Sequence, residues 1–300
     1  MKVIVLGASG FIGLPAAQAL VRAGHIVYGV TRSASKAKQL AAEEIIPVVA
    51  NYDDISAWGN LIATVDAVID AVGGTDVKTL SAALLTKTAH AAQELRPLHA
   101  PKLIYIYTSG TWVHGDDRKT VKTDTSPLTA PVEQVAWRPA QEQRVVTNTA
   151  LNGIVIRPSL LYGRSGSLLA NVFRGAYEGK VKWFGTPGGR FALIHTDDLG
   201  ELYRLVAEKG AIIGGKIFDA SNDVSESVDD FLQKLVEVSG AKGPYEYVQP
   251  SNLFEVALTT TAILRPYLAR SLLGWQLRKA GLTDHLEIYY DAWKASEGLA

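Results

Sequence analysis

An α/β fold built on a doubly wound parallel sheet is what this sequence predicts, and three observations predict it. Short runs of apolar, mostly β-branched residues recur through the first half of the chain, too continuous for strands with one wet face. Longer helical patterns separate them, and such alternation calls for right-handed crossovers and parallel pairing. Gly7, Gly10 and Gly13 fall at the first strand–helix junction.

The elements follow in order. Val3–Leu6 reads as the first strand, and Ile12–Ala23 as the helix after it. Ile26–Val30, Ile46–Val49, Ala67–Ile69, Leu103–Tyr107 and Gly153–Ile156 read as further strands, with a long helix over Asp76–Leu95. Beyond about residue 160 the rhythm becomes irregular. Loops are expected over Gly163–Gly166 and Gly185–Arg190, and helices over 197–208, 226–239, 251–262 and 282–297. Residues 1–160 are therefore expected to form the sheet domain. Residues 161–300 are expected to form a smaller, mostly helical substrate-side region, interleaved with the last strands of the sheet.

Composition narrows the function. At 300 residues and 47% hydrophobic, the chain can bury the core of one large domain. Its formal net charge of zero carries no nucleic-acid or membrane footprint. The absence of cysteine excludes disulfides, thiol nucleophiles and thiolate-bound zinc. The histidines show no ligand spacing, so no metal site is expected. No run approaches the ~18 apolar residues of a membrane span. The first apolar run leads into a glycine turn and not a cleavage site, so a cytoplasmic location is the expectation.

The stretch V-L-G-A-S-G-F-I-G, residues 5 to 13, carries the clearest chemistry. Gly7 permits a tight turn, Gly10 lets backbone approach a pyrophosphate, and Gly13 allows close helix packing. With Ser9, Phe11 and Ile12 these residues would line a dinucleotide, the helix N-terminus offering free N–H groups and the positive end of its dipole. The second strand runs into V-T-R-S-A-S-K, residues 30 to 36, with no Asp or Glu to accept from ribose hydroxyls. Arg32 and Ser33 suit a 2′-phosphate instead, so NADP is expected over NAD.

Further landmarks join this loop. Y-T-S-G-T-W-V-H-G spans residues 107 to 115, I-R-P-S-L-L-Y-G residues 156 to 163 and H-T-D-D residues 195 to 198, with Leu273, Gly274 and Trp275 near the end. In order and spacing the chain resembles the extended and atypical short-chain dehydrogenase/reductase superfamily, epimerase/dehydratase-like proteins included. The resemblance implies a Rossmann sheet of about seven strands, with the cofactor across the strands' carboxyl ends. It places Ala71, Val72 and Gly73 beside the dinucleotide, Asn51 near the adenine, Thr108 at the cofactor, and the stretch from Pro158 through Ser159 to Leu160 near the nicotinamide. It assigns Asp197 and Asp198 to capping and anchoring a helix. It is also compatible with a homodimer paired through helices around 76–95 and 132–150.

The superfamily's proton chemistry rests on a Ser or Thr, a Tyr, and a Lys four residues after the Tyr. Here the Ser position falls on Gly110 or Thr111. Using Glu142 as the Glu often found four beyond the Lys, the Tyr position holds Gln134 and the Lys position Arg138. A second register places Trp137 and Gln141 there. Arg138 keeps the positive charge and can hold a ribose, but it cannot cycle its proton near neutrality. Pro139 either kinks the helix or marks its start. For the missing acid the sequence offers His114 and Tyr162, with Thr108, Ser109 and Thr111 either to orient an oxygen or to finish a turn. Trp112 and Trp137 flank the same place and suit the wall of an apolar pocket for a bulky substrate. The reading is an atypical NADP-dependent oxidoreductase acting on a small organic molecule. The alternatives are a non-catalytic dinucleotide-binding regulator and a sugar-nucleotide epimerase or dehydratase.

Overall fold

The computed structural model describes residues 1–74 and 76–299. Seven parallel strands form its central sheet: β1 (Lys2–Leu6), β2 (Ile26–Thr31), β3 (Ile46–Val49), β4 (Ala67–Asp70), β5 (Leu103–Thr108), β6 (Leu151–Pro158) and β7 (Ile217–Ala220). Their spatial order is β7-β6-β5-β4-β1-β2-β3. The order reverses between β1 and β4, and the carboxyl-end crevice at such a switch point is where this architecture binds ligands. The six strands read from the pattern are present. β7 was not legible locally, because a four-residue strand interrupted by Asp219 makes no apolar run.

Alternation along each strand feeds two cores. Val3, Val5, Ile104, Ile106, Ile154 and Ile156 pack with α1 (Gly13–Arg22) and α3 (Thr196–Lys209). Ile4, Leu6, Val68, Leu103, Tyr105 and Val155 pack with α2 (Val77–Leu95) on the other face. Gly200 lets α3 lie hard against α1, since a Cβ there would come within 2.6 Å of the Pro15 carbonyl oxygen. A third core, around Phe173, Trp183, Phe231 and Trp293, joins the later helices, among them α4 (Val228–Ser239) and α5 (Leu286–Ser296).

The helix expected over 251–262 is shorter in the structure. It spans only Leu253–Leu258, and Ala262–Leu264 then forms a strand beside Asp117–Lys122. Thr259, Thr260 and Thr261 end it: β-branched residues lose side-chain freedom in a helix, and the neighbouring strand offers hydrogen bonds instead. The helix carrying Pro139 starts at Arg138 and runs to Val146, so the proline opens it without a kink.

Candidate functional site

The glycine loop is shaped by its own backbone. Gly7 has φ +79°, and a Cβ on it would meet the Ala71 carbonyl oxygen at 2.7 Å. A Cβ on Gly13 would come within 2.2 Å of the Gly7 carbonyl oxygen. Gly10, by contrast, is exposed and faces open space apart from the Gly7 carbonyl oxygen at 3.1 Å. The N–H groups of Phe11 and Ile12 have no partner among the described residues, and no acidic side chain occupies the first turn of α1. A concave backbone with free N–H groups, one bare glycine and a helix N-terminus fits a pyrophosphate.

Around the loop the strand ends converge. Ser9 Oγ and Thr31 Oγ1 share a hydrogen bond of 2.8 Å, tying the loop to the end of β2. Arg32 is exposed there, its guanidinium 5.2 Å from the centre of the Tyr52 ring, next to exposed Asn51. Ser33 caps the following helix by accepting from Lys36 N. Beyond β4, Ala71 and Val72 pass directly against Gly7, and Gly73 follows them with open space where a Cβ would stand. Beneath them Asp70 is buried, accepting from Tyr105 OH at 2.9 Å and Val72 N at 3.2 Å. Burial pushes its carboxyl up to about 6, against the pull of those two donors and of Arg138.

A cleft of about 170 Å³ opens beside Ile12 at the ends of β5 and β6. Trp112, Val135, Leu160, Leu161 and Leu168 supply its apolar walls, while Ser109, Thr111, Ser159 and Arg138 supply its polar side chains. Arg138 donates from Nη1 to Tyr107 OH at 2.9 Å and to the Thr108 carbonyl at 3.1 Å. Its guanidinium also lies 4.7 Å from the Trp137 ring centre. Thr111 Oγ1 and Ser159 Oγ stand 3.5 Å apart. Among the described residues that line the cleft there is no Tyr, His, Lys, Asp or Glu.

Behind this cleft runs a buried polar chain. Ser109 Oγ donates to Glu142 Oε1 at 2.5 Å. Arg157 grips the same carboxylate through Nε at 3.0 Å and Nη2 at 2.6 Å, then reaches Asp219 at 3.4 Å. Asp219 ends the chain against His114 Nε2 at 2.7 Å. Breaking such a pair strands a buried charge, which is why the chain fixes the ends of β5, β6 and β7 so firmly.

Comparisons with known proteins match this geometry. The profile of the NAD dependent epimerase/dehydratase family matches residues 3–219. The chain belongs to that family. An uncharacterised protein of Saccharomyces cerevisiae is 24% identical over 97% of this chain and 99% of its own length. A ketoreductase of Stigmatella aurantiaca, named for a farnesylated dihydroquinoline oxide, is 25% identical over 81% of this chain and 74% of its own. A decarboxylating sterol-4-alpha-carboxylate 3-dehydrogenase of Dictyostelium discoideum is 25% identical over 70% and 68%. Among solved structures, a UDP-glucose 4-epimerase of Thermotoga maritima superposes with a TM-score of 0.79 at 19% identity, over 99% of this chain and 100% of the other.

As a family member the chain is unusual at the acid. Gln134 is exposed on a 3₁₀ turn, Glu133–Val135, while Arg138 lines the cleft. Two catalytic expectations are corrected. His114 has a side-chain exposure of 0% and serves Asp219, so it cannot reach a substrate in the cleft. Tyr162 is equally buried, donating to the Ala280 carbonyl at 2.8 Å and accepting from Asn222 Nδ2 at 3.1 Å. Burial pushes its hydroxyl well up, with the Asn222 hydrogen bond offsetting part of the effect. Both belong to the frame. Thr111, Pro158 and Leu160 do line the cleft. Thr108 Oγ1 shares a buried 2.6 Å hydrogen bond with Tyr203 OH at the carboxyl end of β5.

The helix after His195 is capped differently from the expectation. The His195 imidazole accepts from Asp197 N at 3.0 Å, so it is the cap. Burial holds that imidazole down at about 4, in keeping with an acceptor nitrogen. Asp198 anchors the C-terminal segment by accepting from Arg278 N and Lys279 N, each at 3.1 Å. Ser109 and Ser159 line the cleft as expected, while Val135, Leu161 and Leu168 are lining residues that the sequence does not single out. For Leu161 a signal is present, since it follows Leu160 in the I-R-P-S-L-L-Y-G motif. Among the described residues no metal-binding cluster occurs, and no helix is long and apolar enough to cross a membrane.

Proposed function

We propose that this protein is an NADP-dependent oxidoreductase acting at a carbonyl, imine or activated alkene carried on an apolar body. One observation carries the reading: the glycine loop opens directly onto a cleft whose walls are apolar and whose polar groups are three hydroxyls and one tethered cation. When bound, NADPH supplies the hydride. Phe11 and Ile12 would donate N–H to the pyrophosphate, Arg32 and Ser33 would hold the 2′-phosphate, and Arg138 would face the ribose. Thr111 and Ser159 would orient the substrate oxygen, leaving solvent to supply the proton. The apolar walls hold the substrate in place and exclude bulk water. Relatives named as a ketoreductase and a sterol dehydrogenase support this class of chemistry.

The test is a pair of binding isotherms followed by turnover. NADPH should bind more tightly than NADH, and Arg32→Asp should weaken NADPH by about 10- to 100-fold, as expected on losing a charge-assisted contact. Equal affinity for both nucleotides in the unaltered protein would remove the NADP assignment. Tight NADPH binding with no oxidation by any cyclic ketone or enone would favour the regulator reading, which the absent Tyr–Lys pair independently suggests.

A further inference from the structure

The cleft does not end at Trp112. Beyond the indole lies a second, smaller chamber of about 20 Å³, walled by Phe191, Ala192, Leu258, Thr260 and Ala262. Thr111, Trp112 and Leu160 line both spaces, so the indole is a partition between them. The second chamber as it stands admits about one water. No charged side chain lines it among the described residues.

The partition is held unevenly. Its backbone is fixed, because Gly115 N and Val132 N both donate to the Trp112 carbonyl at 3.1 Å. Its ring is half-buried and meets Phe254 edge-on, with centroids 6.4 Å apart. Phe254 sits on the six-residue helix Leu253–Leu258, and Leu253, Phe254 and Val256 are themselves 45%, 37% and 43% exposed. The indole therefore leans on a short helix with a partly wet apolar side.

We propose that Trp112 is the residue that sets substrate length: its indole closes the cleft against the chamber behind it, so that a compact ketone or alcohol is taken and a lipid-like apolar tail is shut out. This rests on the oxidoreductase reading above. With the indole in place, only a compact body fits the 170 Å³ cleft. With the indole removed, the two spaces join into one apolar channel that runs past Leu160 to Leu258 and Ala262. Each methylene buried in that channel should strengthen binding by about fourfold until the channel is full.

The experiment compares methyl ketones of increasing linear chain length in three forms: the unaltered protein, Trp112→Ala, and Trp112→Ala with Leu258→Trp. Each form is first checked for folding by thermal unfolding and for NADPH binding. Dissociation constants of the ketones for the NADPH-loaded protein are measured by calorimetry, and KM and kcat by NADPH oxidation. Trp112→Ala should tighten the longer ketones at least about tenfold relative to the shortest, an effect of two or more buried methylenes. Adding Leu258→Trp should cancel that gain by refilling the chamber. An unchanged length profile in a folded Trp112→Ala protein overturns the proposal, and so does a gain that survives Leu258→Trp. If the ketones bind with the expected profile but none is reduced, the length selector stands and the oxidoreductase reading fails. If short ketones are reduced with no length effect, the oxidoreductase reading stands and the selector fails. Should Trp112→Ala not fold, the smaller truncation Trp112→Leu takes its place, and an unchanged length profile in that folded variant overturns the proposal.

Discussion

The two ends of the crevice are built by different means. At the glycine-loop end, from β1 to β4, the surface is mostly backbone: three glycines, free N–H groups and carbonyls in close approach. At the cleft end, past β5 and β6, the surface is side chains on a frame tied from behind by Ser109, Glu142, Arg157, Asp219 and His114. Backbone in such close approach tolerates almost no added side chain at Gly7 or Gly13. Side chains on a rigid frame can be exchanged with the frame intact, and among the described residues the lining of this cleft holds no Tyr or Lys.

The largest way to break the contrast is Glu142→Ala. It strands the buried Arg157 guanidinium with only Asp219 at 3.4 Å, and should lower unfolding free energy by about 3–5 kcal/mol. Denaturant titration reads this, and a loss below about 1 kcal/mol, the scale of a surface pair, would show that the frame does not depend on the chain.

Asp70 lies between the two ends and gives a pH signature. Its folded value of about 6 stands above the ordinary carboxylate value of ~3.9, so between these pH values the folded state holds more of a proton than the unfolded one. Its contribution to stability is thus complete below about pH 4 and lost as pH rises through about 6. Asp70→Asn should remove that decline, gaining on the unaltered protein by up to about 3 kcal/mol between pH 4 and 7. Parallel stability–pH curves for the two proteins would contradict the burial effect.

Within the glycine loop, two substitutions should separate folding from binding. Gly13→Ala forces a Cβ to within 2.2 Å of backbone and should destabilise the protein by about 1–3 kcal/mol. Gly10→Asp places its side chain where a pyrophosphate would lie. It should leave the melting temperature nearly unchanged and abolish NADPH binding. Equal loss of stability in both would mean that Gly10 is a packing glycine.

The smallest effect is expected at Tyr162. Tyr162→Phe deletes hydrogen bonds to Ala280 and Asn222 and should reduce stability by about 1–2 kcal/mol, with kcat unchanged within experimental error. A fall in kcat of about a hundredfold, the scale of a lost general acid, would restore it to catalysis.

Much of this protein was legible in its sequence wherever the information is local. Apolar runs and their alternation with helices specified the parallel sheet. Gly7, Gly10 and Gly13 specified the glycine loop, because a turn, a close approach and a helix start are properties of a few adjacent residues. That no Tyr is followed four residues later by a Lys between residues 107 and 163 was also visible. The direction of a side chain was not. His114 and Tyr162 stand beside the right motifs and look like acids in the linear chain. Only the tertiary structure turns His114 onto Asp219, 105 residues away, and Tyr162 onto Ala280, 118 residues away. The same holds for Trp112 and its chamber, which draws Phe191, Leu258 and Ala262 from separate parts of the chain. Local sequence sets the backbone path through propensity and steric permission. Which side chains meet, and therefore which can react, is settled by packing between residues far apart in the chain.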